Sequence, residues 1–131
     1  MGKMKSKYMN EFDDFKNMSV WKIAKEISKK IFHITKSLPR KEDYGLTSQI
    51  RRSSNSIGAN IAEGFGRKGK KEKVQFYTYS ISSAYETLHH IRYGCEVGYF
   101  NKCDVKNISK LIKKIVFELN KLNKTINIKW E

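Results

Sequence analysis

Two apolar stripes in the second half of the chain constrain its fold more than any other feature. Val74, Tyr77, Ile81, Ala84, Leu88, Ile91 and Cys95 step alternately by three and four residues. Val105, Ile108, Ile112, Ile115, Leu119, Leu122 and Ile126 do the same. Such a step keeps side chains on one side of an α-helix of about 3.6 residues per turn, whereas a strand would divide them between two faces. The stripes predict two long amphipathic helices, over about residues 71–98 and 104–128. Each must bury its stripe against another element. Their length and regularity make this pair the expected spine of the fold.

The first half repeats the signal less cleanly. Val20, Ala24, Ile27, Ile31, Ile34 and Leu38 predict a helix over residues 19–38, capped by Asn17 or Ser19. It stops at Leu38-Pro39, since a residue before proline is pushed out of the helical region. Residues 40–45 read as a charged connector. Leu46, Ile50, Ile57 and Ile61 predict a second helix over residues 46–64, its stripe thinned by Ser53 and Ser54. Gly58 inside it costs about 1 kcal/mol relative to Ala and predicts a kink. Gly64-Phe65-Gly66 is expected to end it in the left-handed conformation. Gly69 and Glu72 have capping-box spacing without the usual hydroxyl, Asp104 is the expected cap of the last helix, and residues 98–101 form a turn. One proline, eight glycines and no sustained period-two alternation argue against a β fold. Together these predict an all-α, antiparallel up-down-up-down four-helix bundle over residues 19–128. A loosely ordered arm over residues 1–18 precedes it, with Met9, Phe12, Phe15 and Met18 placed to dock its end.

At 131 residues the chain makes one domain, with 27 Lys+Arg against 13 Asp+Glu and a net charge of +14. That excess predicts attraction to polyanions, nucleic acid before anionic membrane. It is unevenly placed: residues 46–73 hold seven basic and two acidic side chains, whereas residues 74–103 hold two of each. Arg67, Lys68, Lys70, Lys71 and Lys73 form the densest run, with Arg51 and Arg52 one helix earlier and several turns from the joint. These seven are the candidate phosphate contacts, aided by the positive N-terminal end of the third helix. In the heptad frame of that helix Tyr79 and Tyr93 fall outward, flanked by Phe76, His89 and His90. Aromatic bulk on the outer face of a bundle predicts a partner surface, for a second copy of the chain or for stacked bases.

Other chemistry finds little support. His33, His89 and His90 do not stand at metal-ligand spacing, nor do Cys95 and Cys103, so no metal or cofactor is expected. Glu63 and Asn60 near the end of the second helix fit a structural role better than a catalytic one. No nucleophile elbow or phosphate-binding glycine loop is present, since Gly64-Phe65-Gly66-Arg67 follows a helix rather than a strand. No catalytic residue is assigned. No apolar run approaches the eighteen or so residues of a membrane span, and residues 1–15 lack the apolar core of a secretory signal. A cytoplasmic protein with reduced cysteines is expected.

The run Tyr44-Gly45-Leu46-Thr47-Ser48-Gln49-Ile50-Arg51-Arg52, followed by Ser56-Ile57-Gly58-Ala59-Asn60-Ile61-Ala62-Glu63-Gly64-Phe65-Gly66-Arg67, resembles the bacterial 23S rRNA-intervening-sequence proteins, also called four helix bundle proteins. Val20-Trp21-Lys22-Ile23-Ala24 is similar to that family's opening V-W-x-x-A, and Glu96-Val97-Gly98-Tyr99 to its turn after the third helix. The resemblance spans about residues 15–125. It departs at Gly58, where the family often has proline, and at Gly69, where it often has serine. It implies an antiparallel four-helix bundle assembling into a ring-like homopentamer, with no established enzymatic activity. Some members are encoded inside 23S rRNA gene insertions. Distant relatives serve as accessory factors of diversity-generating retroelements, so a reverse transcriptase is the alternative partner to RNA.

Overall fold

The computed structural model describes residues 13–130, with side chains described as far as residue 127; Met9 and Phe12 lie outside the described residues. It contains four α-helices: α1 (Ser19–Thr35), α2 (Leu46–Gly66), α3 (Lys70–Glu96) and α4 (Lys102–Trp130). Short 3-10 turns occupy Asp14–Asn17 and Arg40–Glu42, and no strand occurs among the described residues. Each helix packs on two neighbours in the cyclic order α1, α2, α3, α4. Paired residues run in opposite directions at every interface. Arg51 meets Thr35 while Gly58 lies against Trp21 and Ala24, and Ser53 meets Thr87 while Gly64 lies against Tyr77. Asn123 reaches Thr78 as Gly94 meets Phe100, and the clefts between α1 and α4 pair 22–34 with 104–108 and 18–20 with 118–125. The bundle is antiparallel, up-down-up-down.

The apolar stripes of α1, α2 and α4 are buried through most of their length, with Ile27, Ile31, Ile50, Ile57, Ile61, Ile112, Ile115 and Leu119 among the most enclosed side chains, while Ile34, Leu38, Leu122 and Ile126 at the stripe ends are half-buried. α3 departs from its pattern. Tyr77, Ala84 and Ile91 are buried, but Val74, Ile81, Leu88 and Cys95 are only half-buried. In their place Ser80, Thr87 and Gly94 face the core. α3 is therefore rolled toward α2, and the reason is side-chain size.

On α2 Ser53 meets Thr87 and Gly64 seats the Tyr77 ring, while Ser80 of α3 reaches the Ile57 carbonyl; these small residues let the two backbones approach closely. The most extensive helix–helix interface is thus α2–α3, not the expected α3–α4 pair. Hydroxyls satisfy one another inside it. Ser80 Oγ donates to the Ile57 carbonyl at 2.7 Å, Ser53 Oγ and Thr87 Oγ1 share a 2.9 Å bond, and Thr87 also donates to the Ser83 carbonyl. Buried polar groups are tolerated when so paired.

Helix ends differ from expectation in informative ways. α1 starts after Met18, and neither Asn17 nor Ser19 caps it. It ends at Thr35, three residues before Leu38, where Thr35 Oγ1 turns back on the Ile31 and Phe32 carbonyls. α2 runs unbroken through Gly58, because a side chain there would find only ordinary contact with Ala24 and Trp21 and nothing forces a bend. No glycine of Gly64-Phe65-Gly66 is left-handed; Gly64 serves instead as the flat seat for Tyr77, a Cβ there lying 2.7 Å from the ring. The left-handed glycine is Gly98, φ 86°. Around it Tyr99 N–H bonds the Gly94 carbonyl and Gly98 N–H the Cys95 carbonyl, the two bonds of a Schellman motif. Asn101, not Asp104, caps α4: Asp104 N–H donates to Asn101 Oδ1 at 2.8 Å and Asn101 Nδ2 returns a bond to the Asp104 carboxylate. At the arm's end, Phe15 stacks edge-on against Trp21 and Phe65, and Met18 packs on the core.

One contact joins two connectors. Tyr99 OH, in the α3–α4 turn, donates to Glu42 Oε2 at 2.8 Å, while Glu42 Oε1 accepts the Leu46 N–H that opens α2. The Tyr99 bond, and then the Leu46 bond, hold the Glu42 carboxyl below its ordinary value of 4.5.

Two outcomes follow from this packing. Gly94→Ala drives a Cβ into the Phe100 ring and is expected to lower stability by about 1–3 kcal/mol, whereas Gly58→Ala gains about 0.5–1 kcal/mol of helix propensity; urea unfolding of both variants checks the contrast. A carboxyl whose folded pKa is depressed adds stability above its unfolded pKa and loses it as pH falls through the folded value. Tyr99→Phe should therefore be less stable than the parent at pH 7, and the gap should shrink once the pH drops well below 4.5, as thermal melts at the two pH values would show.

Candidate functional site

The seven candidate phosphate contacts fall into two groups at opposite ends of α2, separated along the helix by about 22 Å. At its N-terminal end Arg51 is half-buried. Its Nε donates to Thr35 Oγ1 at 2.8 Å and Nη2 to the Phe32 carbonyl at 3.4 Å, so it closes the C-terminus of α1. Its guanidinium also lies 4.5 Å from the centre of the Phe32 ring, which has Lys36 against it at 5.3 Å. Arg52 reaches across to Glu86 of α3, which His90 also meets at 3.2 Å.

The second group surrounds the α2–α3 joint. Arg67 pairs with Glu63 at 2.8 Å and lies over the Phe76 ring at 4.7 Å. Lys68, Lys70 and Lys71 are exposed beside the N-terminus of α3. Lys73 turns inward. Its ammonium donates to the Gly64 and Phe65 carbonyls at 3.1 and 2.9 Å, which are terminal acceptors of α2, and burial pushes its pKa below the ordinary lysine value. Lys73 thus takes the role expected of a left-handed glycine. Asn60 bonds Ser56 on its own helix and Glu63 is exposed, so neither is held in the bundle interior.

The structure adds cations that the sequence pattern did not single out. Lys22, Lys25, Lys29, His33 and Lys36 follow the three-four step along the wet side of α1. Lys22, Lys25, Lys29, Lys30 and His33 line a cleft of about 590 Å³ between α1 and α4, shared with Glu26 and Asp104. Lys25 lies 5.5 Å over Trp21. The periodicity that exposes apolar stripes also exposes this row when applied to polar positions.

The outer stripe of α3 is formed by Gln75, Tyr79, Ser82, Glu86, His89 and Tyr93. Tyr79 and Tyr93 are 45% and 49% exposed, a level at which each ring still has a free face. They stand four turns apart, about 21 Å. His89 is exposed between them, with its ring edge-on to His90. Phe76 and His90 are half-buried toward α2, Phe76 edge-on to Tyr79 at 5.6 Å. No lysine or arginine stands on this stripe. Among the described residues no three His, Cys, Asp or Glu side chains converge, and Cys95 and Cys103 are free thiols. No described helix is long and apolar enough to cross a membrane.

Comparison with known proteins agrees with this architecture. A family model described as 23S rRNA-intervening sequence protein matches residues 16–121. Among solved structures, a protein with unknown function from the S23 ribosomal protein family of Bacteroides thetaiotaomicron superposes with a TM-score of 0.72, covering 80% of this chain and 98% of its own at 20% identity. That likeness concerns the fold. No curated protein matches.

The inward turn of Lys73 separates it from its exposed neighbours. Lys73→Met should destabilise the protein by about 1 kcal/mol in urea unfolding, because two helix-end carbonyls lose their donor, whereas Lys68→Met should leave the midpoint unchanged.

Proposed function

The chain belongs to the 23S rRNA-intervening sequence protein family, and from that premise we propose that it is a non-enzymatic, self-assembling bundle that binds structured RNA through phosphate contacts. The observation that carries this reading is the segregation of charge. A face of α3 holding Tyr79, His89 and Tyr93 has no lysine or arginine, while cations crowd the α2–α3 joint and the outer side of α1. The aromatic face, whose one carboxylate, Glu86, is set against Arg52, suits contact between copies, which like-charged faces would oppose. A homopentameric ring is the assembly this family resemblance favours. Arg67, Lys68, Lys70 and Lys71, beside the positive end of α3, are the first phosphate contacts, and Arg51 and Arg52 extend the surface to the other end of α2. Arg67 must loosen its pair with Glu63 to serve fully.

Binding to a hairpin-rich rRNA fragment should fall in the micromolar range and weaken steeply with salt. Replacing Lys68, Lys70 and Lys71 together by Ala should flatten the dependence of log K on log salt by about one unit for each phosphate no longer neutralised. Filter binding at two salt concentrations measures this, and a salt-independent affinity contradicts the phosphate mechanism. Light scattering tests assembly separately. The parent should exceed a monomer mass of 15.4 kDa, and Tyr79→Arg with Tyr93→Arg should return it to that mass with helicity intact.

A further inference from the structure

The roll of α3 toward α2 leaves an apolar strip uncovered on its other side. Leu88, half-buried there, forms with Val105, Ile112 and Val116 of α4 the floor of a groove of about 610 Å³ between the two helices. Its walls are cationic. Lys102, Lys106, Lys110 and Lys113 form a ridge along α4, and Arg92 faces them from α3. All five are exposed, none forms an ion pair among the described residues, and no carboxylate lines the groove. Ser109 lies in the same lining, and its buried hydroxyl has no hydrogen-bond partner. A buried hydroxyl without a partner is a costly feature unless something supplies one.

We propose that the α3–α4 groove docks an acidic amphipathic helix of a partner protein, its apolar face on the half-buried Leu88 and Val116, above the enclosed Val105 and Ile112, and its carboxylates along the lysine ridge. Residues 102–116 span about 21 Å, four helical turns, which sets the length of the docked segment at about 15 residues. Nucleic acid would neutralise the ridge but leave the apolar floor wet. An acyl chain would fill the floor but stay exposed along the open side, where a helix turns a polar face to water. A second copy of the chain brings a net charge of +14 toward five cations, so the complementary occupant is acidic.

The probe is a fluorescein-labelled helical peptide of about 15 residues, with Leu at three-four spacing and Glu elsewhere, titrated by anisotropy at about 150 mM salt. Saturable binding is expected, weakened at least tenfold in Lys106→Glu with Lys110→Glu. Those positions are exposed, and circular dichroism confirms that the variant keeps its fold. Polyglutamate of equal length should bind at least tenfold more weakly, and the peptide with Lys for Glu should not bind. The proposal is overturned if polyglutamate binds as tightly, if the double reversal leaves peptide affinity unchanged, or if oleate displaces the peptide stoichiometrically. A fall in assembly mass on double reversal also overturns it, because the groove then lies between copies. None of these readouts depends on RNA binding.

Discussion

The close approach of α2 and α3 is the constraint on which the other features rest. Gly64, Ser53, Ser80, Ala84 and Thr87 leave little bulk between the two backbones beyond the Tyr77 ring seated on Gly64, and the hydroxyls find partners inside the seam. Hydrogen bonds between side chains at fixed heights set the register as well as the distance. With α3 held against α2, its remaining faces are determined. Tyr79, His89 and Tyr93 turn outward, and Ile81, Leu88 and Cys95 are left over the junction with α4. The aromatic face and the groove are thus two consequences of one packing choice.

The sequence was a good guide wherever bulk apolar side chains decide packing. The stripes of α1 and α4 are buried except at their C-terminal ends, and four helices with short connectors give the observed topology. It misled at α3, because an apolar residue at a seam position was taken to outweigh a serine or threonine beside it. Single-chain periodicity cannot register that Ser80 and Thr87 have partners on α2 that remove the cost of burying their hydroxyls. Helix ends were legible only in part. Asp104 is the cap that the pattern suggests, but the cap is Asn101, and Asp104 supplies the accepting carboxylate of the pair. Lys73 could not be distinguished from Lys70 or Lys71 by composition, since its inward turn depends on carbonyls nine and eight residues away.

Electrostatically, the candidate site is less bare than its composition suggests. Glu63 and Glu86, two of the few carboxylates near the cluster, are each set against an arginine of the predicted set. Such exposed pairs contribute little stability, so they can be exchanged for phosphate at low cost. Arg51 is different, because it is half-buried and bonded to Thr35 and the Phe32 carbonyl. A cation so occupied shapes the field around Phe32 more than it reaches for a ligand.

The anchoring of Lys73 has a kinetic consequence. Only residues 67–69 separate α2 from α3, and the ammonium of Lys73 fastens the start of α3 to the end of α2. The joint is a stiff corner, so the backbone that carries Arg67, Lys68, Lys70 and Lys71 is already in place. Loops that must order on contact lose entropy at the moment of binding, but a corner of this kind has little left to lose. A polyanion drawn toward it would meet a backbone already set, with only side chains left to adjust, which would favour fast capture over slow mutual fitting.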